Sequence, residues 1–333
     1  MLVEKGAVHF PGIEGGQWIQ GKLSNEDFKG LVTLVDFWNY SCISCIRTLN
    51  YIKEWHERYA HFGLLVLGVH TPEFAFGHER RNVLCGVHAF DIPYPVVLDN
   101  DYKIWNAFSN RYWPAKYLFD TEGYLRYHHF GEGAYADSEL AVQSLLRERN
   151  SGGDFGQVMK PVRESDVPGA VLPASTPKLY LGLERGKIGN PPAGPVSGAE
   201  RFFVMPAQIN PDIVYLVGEW SRHRQYAENG GVLEGHILVQ YTAAEVNLVM
   251  QSRKGSRVYL MQDARPVRAQ DAGEDVRFEG EHAIIQVREP RMYQMIQNET
   301  FGSHLLSLST SDPGLEAYVF TFVSCPTRRD SRR

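Results

Sequence analysis

The segment LVTLVDFWNYSCISC, residues 31–45, joins an apolar run to two cysteines that stand three positions apart. Leu31 to Trp38 has the β-branched and aromatic composition of a strand that is buried on both faces. After Cys42, apolar residues recur every three or four positions as far as Tyr59, which is the spacing of an amphipathic helix. A buried strand is therefore predicted to lead into a helix, with the cysteine pair at the junction.

This position suits Cys42 and Cys45 to disulfide exchange. A thiol in the first turn of a helix faces unpaired backbone N–H groups and the positive end of the helix dipole, which favour the thiolate. Positions i and i+3 share one helix face, so the two sulfurs can form a disulfide. We expect Cys42 to attack a substrate disulfide and Cys45 to resolve the mixed disulfide. This chemistry calls for no cofactor and no metal ion.

Other uses of these cysteines are weaker alternatives. A zinc site needs further ligands, and the only candidates, Cys85 and His88, lie on a separate predicted helix. A purely structural disulfide between Cys42 and Cys45 would close almost no loop and would stabilise little. Buried, inert cysteines are a third alternative. A peroxidase would need threonine or serine three positions before the reactive cysteine, where Asn39 stands.

The 333 residues divide into regions of different periodicity. Residues 1–150 alternate between strand and helix patterns, which predicts an α/β domain with helices on both faces of a mostly parallel sheet. Residues 151–175 are rich in glycine and proline and are predicted to form a linker. Residues 176–325 contain about nine short β-prone runs between turn signals, which predicts an all-β sandwich of jelly-roll type. Residues 326–333 are predicted to be a basic tail.

Composition argues against several classes of protein. The 34 basic and 39 acidic residues give a net charge of −5, which offers no electrostatic basis for binding nucleic acid. No apolar run approaches the roughly 18 residues of a transmembrane segment. The N-terminus lacks the apolar core of a signal peptide, which predicts a cytoplasmic location. A periplasmic or other extracytoplasmic location is the alternative if the chain is cut from a longer, membrane-anchored precursor.

Several motifs make the chain similar to a known family. The aspartate of VDFW, six residues before the first cysteine, and the Trp113-Pro114 pair before a predicted strand resemble the thioredoxin superfamily. FWNYSCISC, GVHTPEFAF, FGEGAY and YPVVLDNDYKIWNAFSNRYWPAKYLFD more closely resemble the soluble C-terminal region of DipZ-type proteins. TPKLYLGLERG, LVGEWSRHRQYAE and AYVFTF extend the likeness to the second half. Such proteins combine a TlpA/ResA-like thioredoxin domain, in some cases fused to a CcdA-type membrane domain, with a β-sandwich like a carbohydrate-binding module.

The resemblance implies roles for individual residues. It makes Cys42 the nucleophile and Cys45 the resolving thiol. Asp36, buried beneath the pair, is implied to accept the Cys45 proton through water. Pro114, in a cis peptide bond, is implied to place the backbone of Trp113 beside the sulfurs, where an extended substrate can pair with it.

The active-site motif also departs from thioredoxin. Ser41 replaces the tryptophan before the first cysteine, and Ile43 and Ser44 replace the Gly-Pro pair between the cysteines. Asn50 stands where thioredoxin has a proline that kinks the helix. These differences leave the reaction class unchanged, but they do not allow the redox potential or the partners of thioredoxin to be transferred to this chain.

Two classes of function follow. The first is a thiol–disulfide oxidoreductase that acts on protein disulfides or dithiols and exchanges electrons with an unidentified donor or acceptor. The second is a binding or scaffold protein, in which the β-sandwich recognises a glycan or a partner protein and the CxxC pair is not turned over. Trp220 is the only tryptophan of the second half, and core packing is expected for Tyr215, Tyr226 and Tyr241. The CxxC pair, the upstream aspartate and the proline element favour the enzyme.

Overall fold

A computed structural model divides the chain into two compact units, Met1–Ala170 and Val171–Arg333. The residues that the structure describes are 2–6, 8–150, 152–193, 200–231 and 233–325. The predicted basic tail, 326–333, lies outside the described residues.

The first unit contains, within its described residues, a six-stranded sheet and four α-helices. The strands are β1 (Gln17–Gln20), β2 (Val32–Trp38), β3 (Leu64–His70), β4 (Val96–Leu98), β5 (Ala115–Phe119) and β6 (Leu125–Phe130). The helices are α1 (Ile43–Tyr59), α2 (Arg80–Ala89), α3 (Lys103–Ala107) and α4 (Tyr135–Arg149). The sequence predicted all of these except β1. The helical pattern of the sequence runs from Glu73 to about Phe90, but α2 begins only at Arg80, because a separate 3-10 turn occupies Ala75–His78.

The sheet of the first unit is mixed. Its strand order is β1-β4-β3-β2-β5-β6. Strand β3 pairs in parallel with β2 and β4, whereas β1 with β4, β2 with β5, and β5 with β6 are antiparallel. The expectation of a mostly parallel sheet is therefore wrong. The physical reason is that only β2, β3 and β4 are linked by helical crossovers, while β5 and β6 form a hairpin, whose strands are necessarily antiparallel.

Strand β2 runs through the centre of this unit and is buried along its whole length. Val35 and Phe37 belong to a core cluster that also contains Ile104 and Trp105 of α3. Because side chains alternate along a strand, Asp36 points to the opposite face of the sheet. Strand β2 thus carries a carboxyl group into an otherwise apolar layer.

The segment after α4 packs onto the first unit. Phe155 is buried and its ring lies 4.9 Å from that of Phe62. Further along, the Tyr51 hydroxyl donates a hydrogen bond of 2.6 Å to Asp166. The predicted linker, 151–175, contains the boundary between the two units, but its first part is folded against α1 and α4. The glycine and proline content of the segment does not predict this packing, because the packing depends on a few individual side chains and not on the overall composition.

The second unit is an antiparallel β-structure in the residues described. Its strands are β7 (Leu179–Tyr180), β8 (Pro192–Ala193), β9 (Glu200–Phe203), β10 (Val214–Arg222), β11 (Ala227–Asn229), β12 (Gly235–Gln251), β13 (Ser256–Gln262), β14 (Arg265–Pro266), β15 (Arg277–Glu279), β16 (His282–Val287), β17 (Arg291–Thr310) and β18 (Glu316–Val323). They belong to one hydrogen-bonded sheet in which β17, β12 and β18 are central neighbours. Their buried side chains form one core, which includes Trp220, Leu248 and Phe320. The expectation of an all-β second domain is confirmed.

Two strands of this unit are longer than predicted. Strand β12 joins two runs that the sequence pattern separated, and β17 joins two others. The register of β12 against β17 shifts between Ala243 and Glu245. Such a bulge interrupts the alternation of side chains without ending the strand, so one long strand resembles two short ones in the sequence.

Candidate active site

A tight turn between β2 and α1 places Cys42 at the start of the helix. The side-chain oxygen of Asn39 accepts hydrogen bonds of 3.0 Å from both the backbone N–H and the hydroxyl of Ser41. The Asn39 carbonyl accepts a bond of 3.1 Å from the Cys42 N–H. Cys42 is the N-cap residue of α1, and its Sγ accepts a bond of 3.4 Å from the Cys45 N–H. A backbone donor therefore points at the first sulfur, where it favours the thiolate.

The two cysteines differ in their surroundings. Both are free thiols and both are buried, Cys42 with 3% and Cys45 with 1% of its surface exposed. Burial raises the pKa of Cys45, and the hydrogen bond with Cys42 and the charge of Cys42 raise it further. These contacts favour a proton on Cys45 and the negative charge on Cys42.

Asp36 lies close enough to act on this pair electrostatically. It is 1% exposed, and neither carboxyl oxygen has a hydrogen-bond partner among the described residues. Burial raises the pKa of Asp36 to about 7, and the charge of Lys116 opposes that shift. The charge of Asp36 contributes in turn to the raised pKa of Cys45. The structure thus places Asp36 within electrostatic range of Cys45.

The proline element lies at the same edge of the sheet. The Trp113–Pro114 peptide bond is cis, which confirms that expectation. Ala115, the next residue, pairs with Phe37 near the end of β2, where the turn to Cys42 begins. Pro114 is buried and its carbonyl accepts a hydrogen bond from the backbone of the β6–α4 loop. Trp113 is half-buried, with its indole 4.3 Å from that of Trp105.

The sequence interpretation missed Lys116. This residue is the cross-strand neighbour of Asp36 and is completely buried. Its ammonium lies 5.3 Å from the centroid of the Tyr135 ring, and no described residue accepts a hydrogen bond from it. Burial lowers the pKa of Lys116 to about 8, while the charges of Asp36, Glu132 and Cys45 raise it. The available signal was a lysine inside the apolar strand AKYLF.

A cluster of charges beside Ser44, between the two cysteines, was also missed. Glu132 lies 3.1 Å from Arg163 and 3.6 Å from Arg47. Burial raises the pKa of Glu132, while the two arginines and the Ser44 side chain lower it. Arg163 pairs with Asp166 as well, at 3.1 Å. No local sequence pattern predicts this cluster, because Arg163 lies in the segment that was predicted to be a linker, far along the chain from Arg47.

No three or more His, Cys, Asp and Glu side chains of the described chain are grouped so that they could hold a metal ion. Cys85, named in the zinc alternative, is exposed on α2. Within the same residues, no helix is both long enough and apolar enough to cross a bilayer.

Known proteins resemble both units. Residues 8–128 match a family model described as the AhpC/TSA family, and residues 176–322 match one described as a thioredoxin-like C-terminal domain. Protein DipZ of Mycobacterium bovis is 32% identical over 298 residues, which make up 89% of this chain and 39% of that protein. The thiol-disulfide oxidoreductase YkuV of Bacillus subtilis is 30% identical over 132 residues, which make up 39% of this chain and 88% of that protein.

Solved structures are similar to part of the chain. The solution structure of a thioredoxin-like protein in the oxidized form is 29% identical and aligns with a TM-score of 0.39 over 42% of this chain and 95% of that one. The chain spans about two fifths of the length of DipZ, 39%.

Proposed function

The chain belongs to the thioredoxin-like thiol–disulfide oxidoreductases, and we propose that it exchanges disulfides with protein substrates by using Cys42 as the nucleophile and Cys45 as the resolving thiol. The observation that carries this assignment is the hydrogen bond from the Cys45 N–H to the Cys42 sulfur at the start of α1. It gives the first sulfur a donor that stabilises negative charge, whereas burial and the neighbouring Cys42 raise the pKa of the second sulfur more than the backbone of Asn39 lowers it.

In the first step, the Cys42 thiolate attacks one sulfur of a substrate disulfide. A bond forms between Cys42 Sγ and that sulfur, and the other substrate sulfur leaves as a thiolate. The substrate docks, in this proposal, along the backbone of Trp113 beside Pro114. Support comes from the register of β5 on β2, because Ala115 lies opposite Phe37 at the edge where the CxxC turn starts.

In the second step, Cys45 resolves the mixed disulfide. Its S–H proton passes to the Asp36 carboxylate, and the resulting thiolate attacks Cys42 Sγ. The Cys42–Cys45 bond forms, the bond from Cys42 to the substrate breaks, and the substrate leaves as a second thiolate. The substrate has then gained two electrons and the CxxC pair has lost them. The pKa of Asp36, raised by burial to about 7, suits a group that takes up a proton near neutral pH.

A binding role for the second unit is a second candidate, which would accompany exchange. A cleft of about 430 Å³ is lined by the polar side chains of Glu228, Arg253, Lys254 and Glu316 and by Tyr226. Tyr215 and Tyr241 are buried, as expected of core residues, whereas Tyr226 is accessible from this cleft. The charge of these groups favours a polar ligand such as a glycan or a segment of a partner protein.

We place the exchange reaction outside the cytoplasm, in contrast to the expectation drawn from the N-terminal residues. The support is the resemblance to DipZ-type proteins, in some of which this region is fused to a membrane domain, and the alignment of 89% of this chain with DipZ. The electron donor or acceptor would then be a membrane protein. Labelling of intact source cells with a membrane-impermeant thiol reagent tests this location, since only an extracytoplasmic chain would react.

Four serine variants test the exchange reaction, assayed by reduction of insulin or oxidised glutathione. Cys42→Ser should abolish turnover and form no mixed disulfides, because the nucleophile is gone. Cys45→Ser should also lose turnover but should accumulate mixed disulfides, visible on non-reducing gels. Cys85→Ser and Cys325→Ser are matched controls and should keep the wild-type rate. Trapping by Cys42→Ser alone would reverse the two roles, and unchanged turnover in both variants would favour a binding protein.

A further inference from the structure

We propose that Lys116 is a positioning residue for the resolving step: its buried ammonium keeps Asp36 in the carboxylate form and offsets the negative charge that forms on Cys45. This inference rests on the proposed role of Asp36 as the proton acceptor. Lys116 lies on β5, outside the sequence motif that contains the two cysteines.

The sheet register carries the first part of the argument. Asp36 and Lys116 are directly opposite each other on the antiparallel strands β2 and β5. Opposite residues of an antiparallel pair project from the same face, with Cβ atoms about 5 Å apart. Lys116 is 0% exposed, so its long side chain cannot bring the ammonium to water as lysines usually do. A buried ammonium is costly unless nearby negative charge compensates it.

The groups around Lys116 identify the charge that compensates it. Asp36 faces it from β2, Cys45 from α1, and Glu132 from the loop before α4. His129 of β6 is driven toward the neutral form, because burial, and then the charge of Lys116, lower its pKa. The Tyr135 ring of α4 presents its π-face.

Glu132 already pairs with Arg47 and Arg163, at 3.6 and 3.1 Å. The charge left for Lys116 therefore belongs to Asp36 and Cys45. The phenol of Tyr94 also lies within electrostatic range of Asp36; it is buried, and burial raises its pKa, so it stays neutral.

The chemistry of resolution uses this arrangement. When the Cys45 proton passes to Asp36, one negative charge disappears from the carboxylate and one appears on the sulfur. Lys116 faces both groups, so the negative charge stays close to the same cation when it shifts from Asp36 to Cys45. The net charge of the buried cluster does not change. Without Lys116, burial alone would favour the protonated form of Asp36, which cannot accept a proton.

The test separates the two steps by the release of thionitrobenzoate from 5,5′-dithiobis(2-nitrobenzoate). In a Cys85→Ser/Cys325→Ser background, attack by Cys42 releases one equivalent and resolution by Cys45 releases the second. Lys116→Met removes the charge but keeps much of the apolar stem. We expect it to move the pH midpoint of the second phase upward by about one pH unit or more and to leave the first phase unchanged. Lys53→Met, a lysine of α1 that bonds the Phe90 carbonyl, is the matched control and should alter neither phase.

A second set of variants separates this inference from the role of Asp36. Asp36→Asn alone should move the pH midpoint of the second phase upward, because the reaction then depends on the titration of Cys45 itself, whose pKa burial raises; an unchanged profile would overturn the role of Asp36. In the Asp36→Asn background, Lys116→Met should move the midpoint by less than it does in the wild type, because only the charge on Cys45 is left for Lys116 to offset. Three results would overturn the positioning role of Lys116. They are a wild-type pH profile in Lys116→Met, an equal slowing of both phases in that variant, and a midpoint shift by Lys116→Met that is as large in the Asp36→Asn background as in the wild type. Lys116→Gln repeats the measurement if Lys116→Met does not fold.

Discussion

Arg163 Nη2 lies 3.1 Å from Glu132 Oε1, and this ion pair ties the segment after α4 to the loop that borders the CxxC pair. The Arg163 side chain is only 1% exposed and the Glu132 side chain 26%. Because Glu132 also lies 3.6 Å from Arg47 of α1, the segment after α4 is joined through Glu132 to the helix that begins at the CxxC pair. A part of the chain that carries no redox chemistry thus supports the helix that does.

Loss of Arg163 should destabilise the first unit. Arg163→Met leaves Asp166 and Glu132 without their shared cation, and removal of one partner of a buried ion pair typically costs about 3–5 kcal/mol. Denaturant unfolding followed by tryptophan fluorescence measures this, because Trp18, Trp38, Trp55, Trp105 and Trp113 all lie in the first unit.

An exposed ion pair of the same unit provides the control for this variant. The side chains of Lys29 and Glu26 are 71% and 74% exposed, so Lys29→Met should cost less than about 1 kcal/mol. Equal losses in Arg163→Met and Lys29→Met would show that the segment after α4 does not stabilise the unit through Arg163.

The stability of the first unit should depend on pH through Asp36. Burial raises the pKa of Asp36 from 3.8 to about 7, so between these values the folded protein holds a proton that the unfolded chain releases. The free energy of unfolding should therefore fall as the pH rises through this window, by on the order of 4 kcal/mol at ~1.4 kcal/mol per pKa unit.

Asp36→Asn isolates this contribution, because asparagine does not titrate. Urea titration measures the unfolding free energy of both proteins from pH 4 to 7. The free energy of the wild type, minus that of Asp36→Asn, should fall steadily as the pH rises, because only the wild type carries the titrating carboxyl group. A difference that stays constant with pH would mean that Asp36 titrates near its ordinary value.

Cys45 should be the slowest of the four cysteines to be alkylated in the reduced protein. It is 1% exposed and its pKa is raised by burial and by Cys42, so little thiolate is present at pH 8. One unit of pKa is a tenfold difference in thiolate, and we expect Cys45 to react at least about tenfold more slowly than Cys42 with iodoacetamide. Peptide mass spectrometry measures the order, and labelling in guanidinium, where all four should react alike, is the control. Equal rates for Cys42 and Cys45 in the folded protein would contradict the assignment of the nucleophile.

Damage to the core of the second unit should leave disulfide exchange intact. Trp220 is completely buried and its indole N–H donates a hydrogen bond of 2.9 Å to the Val217 carbonyl. Trp220→Ala should cost about 3–5 kcal/mol and lower the melting temperature of this unit in circular dichroism. Trp220→Phe, which keeps most of the apolar volume, should cost less. The thionitrobenzoate kinetics should match wild type in both, since the contacts of the CxxC pair described above lie in the first unit; a loss of exchange would show that the reaction depends on the second unit.

The sequence by itself determined the features that depend on neighbours along the chain. The strand-to-helix junction at Cys42 follows from an apolar run, a turn and a helical period within thirty residues, and the cis bond before Pro114 followed from a resemblance to a known motif. The all-β character of the second half is likewise visible in short β-prone runs. The junction and the all-β character are set by local backbone preference and side-chain periodicity, which a single sequence displays.

Only the tertiary structure decided which distant groups share a buried environment. Lys116 faces Asp36 because β5 pairs with β2 in one register, and a shift by one residue would have turned the lysine to the other face of the sheet. Arg163 reaches Glu132 because the segment after α4 folds back instead of leading away. The pKa of a buried carboxyl or thiol depends on charges a few ångströms away in space, and the sequence contains no measure of that distance. Chain-local patterns therefore specify the reacting cysteines, while the three-dimensional packing specifies the groups that govern their protons.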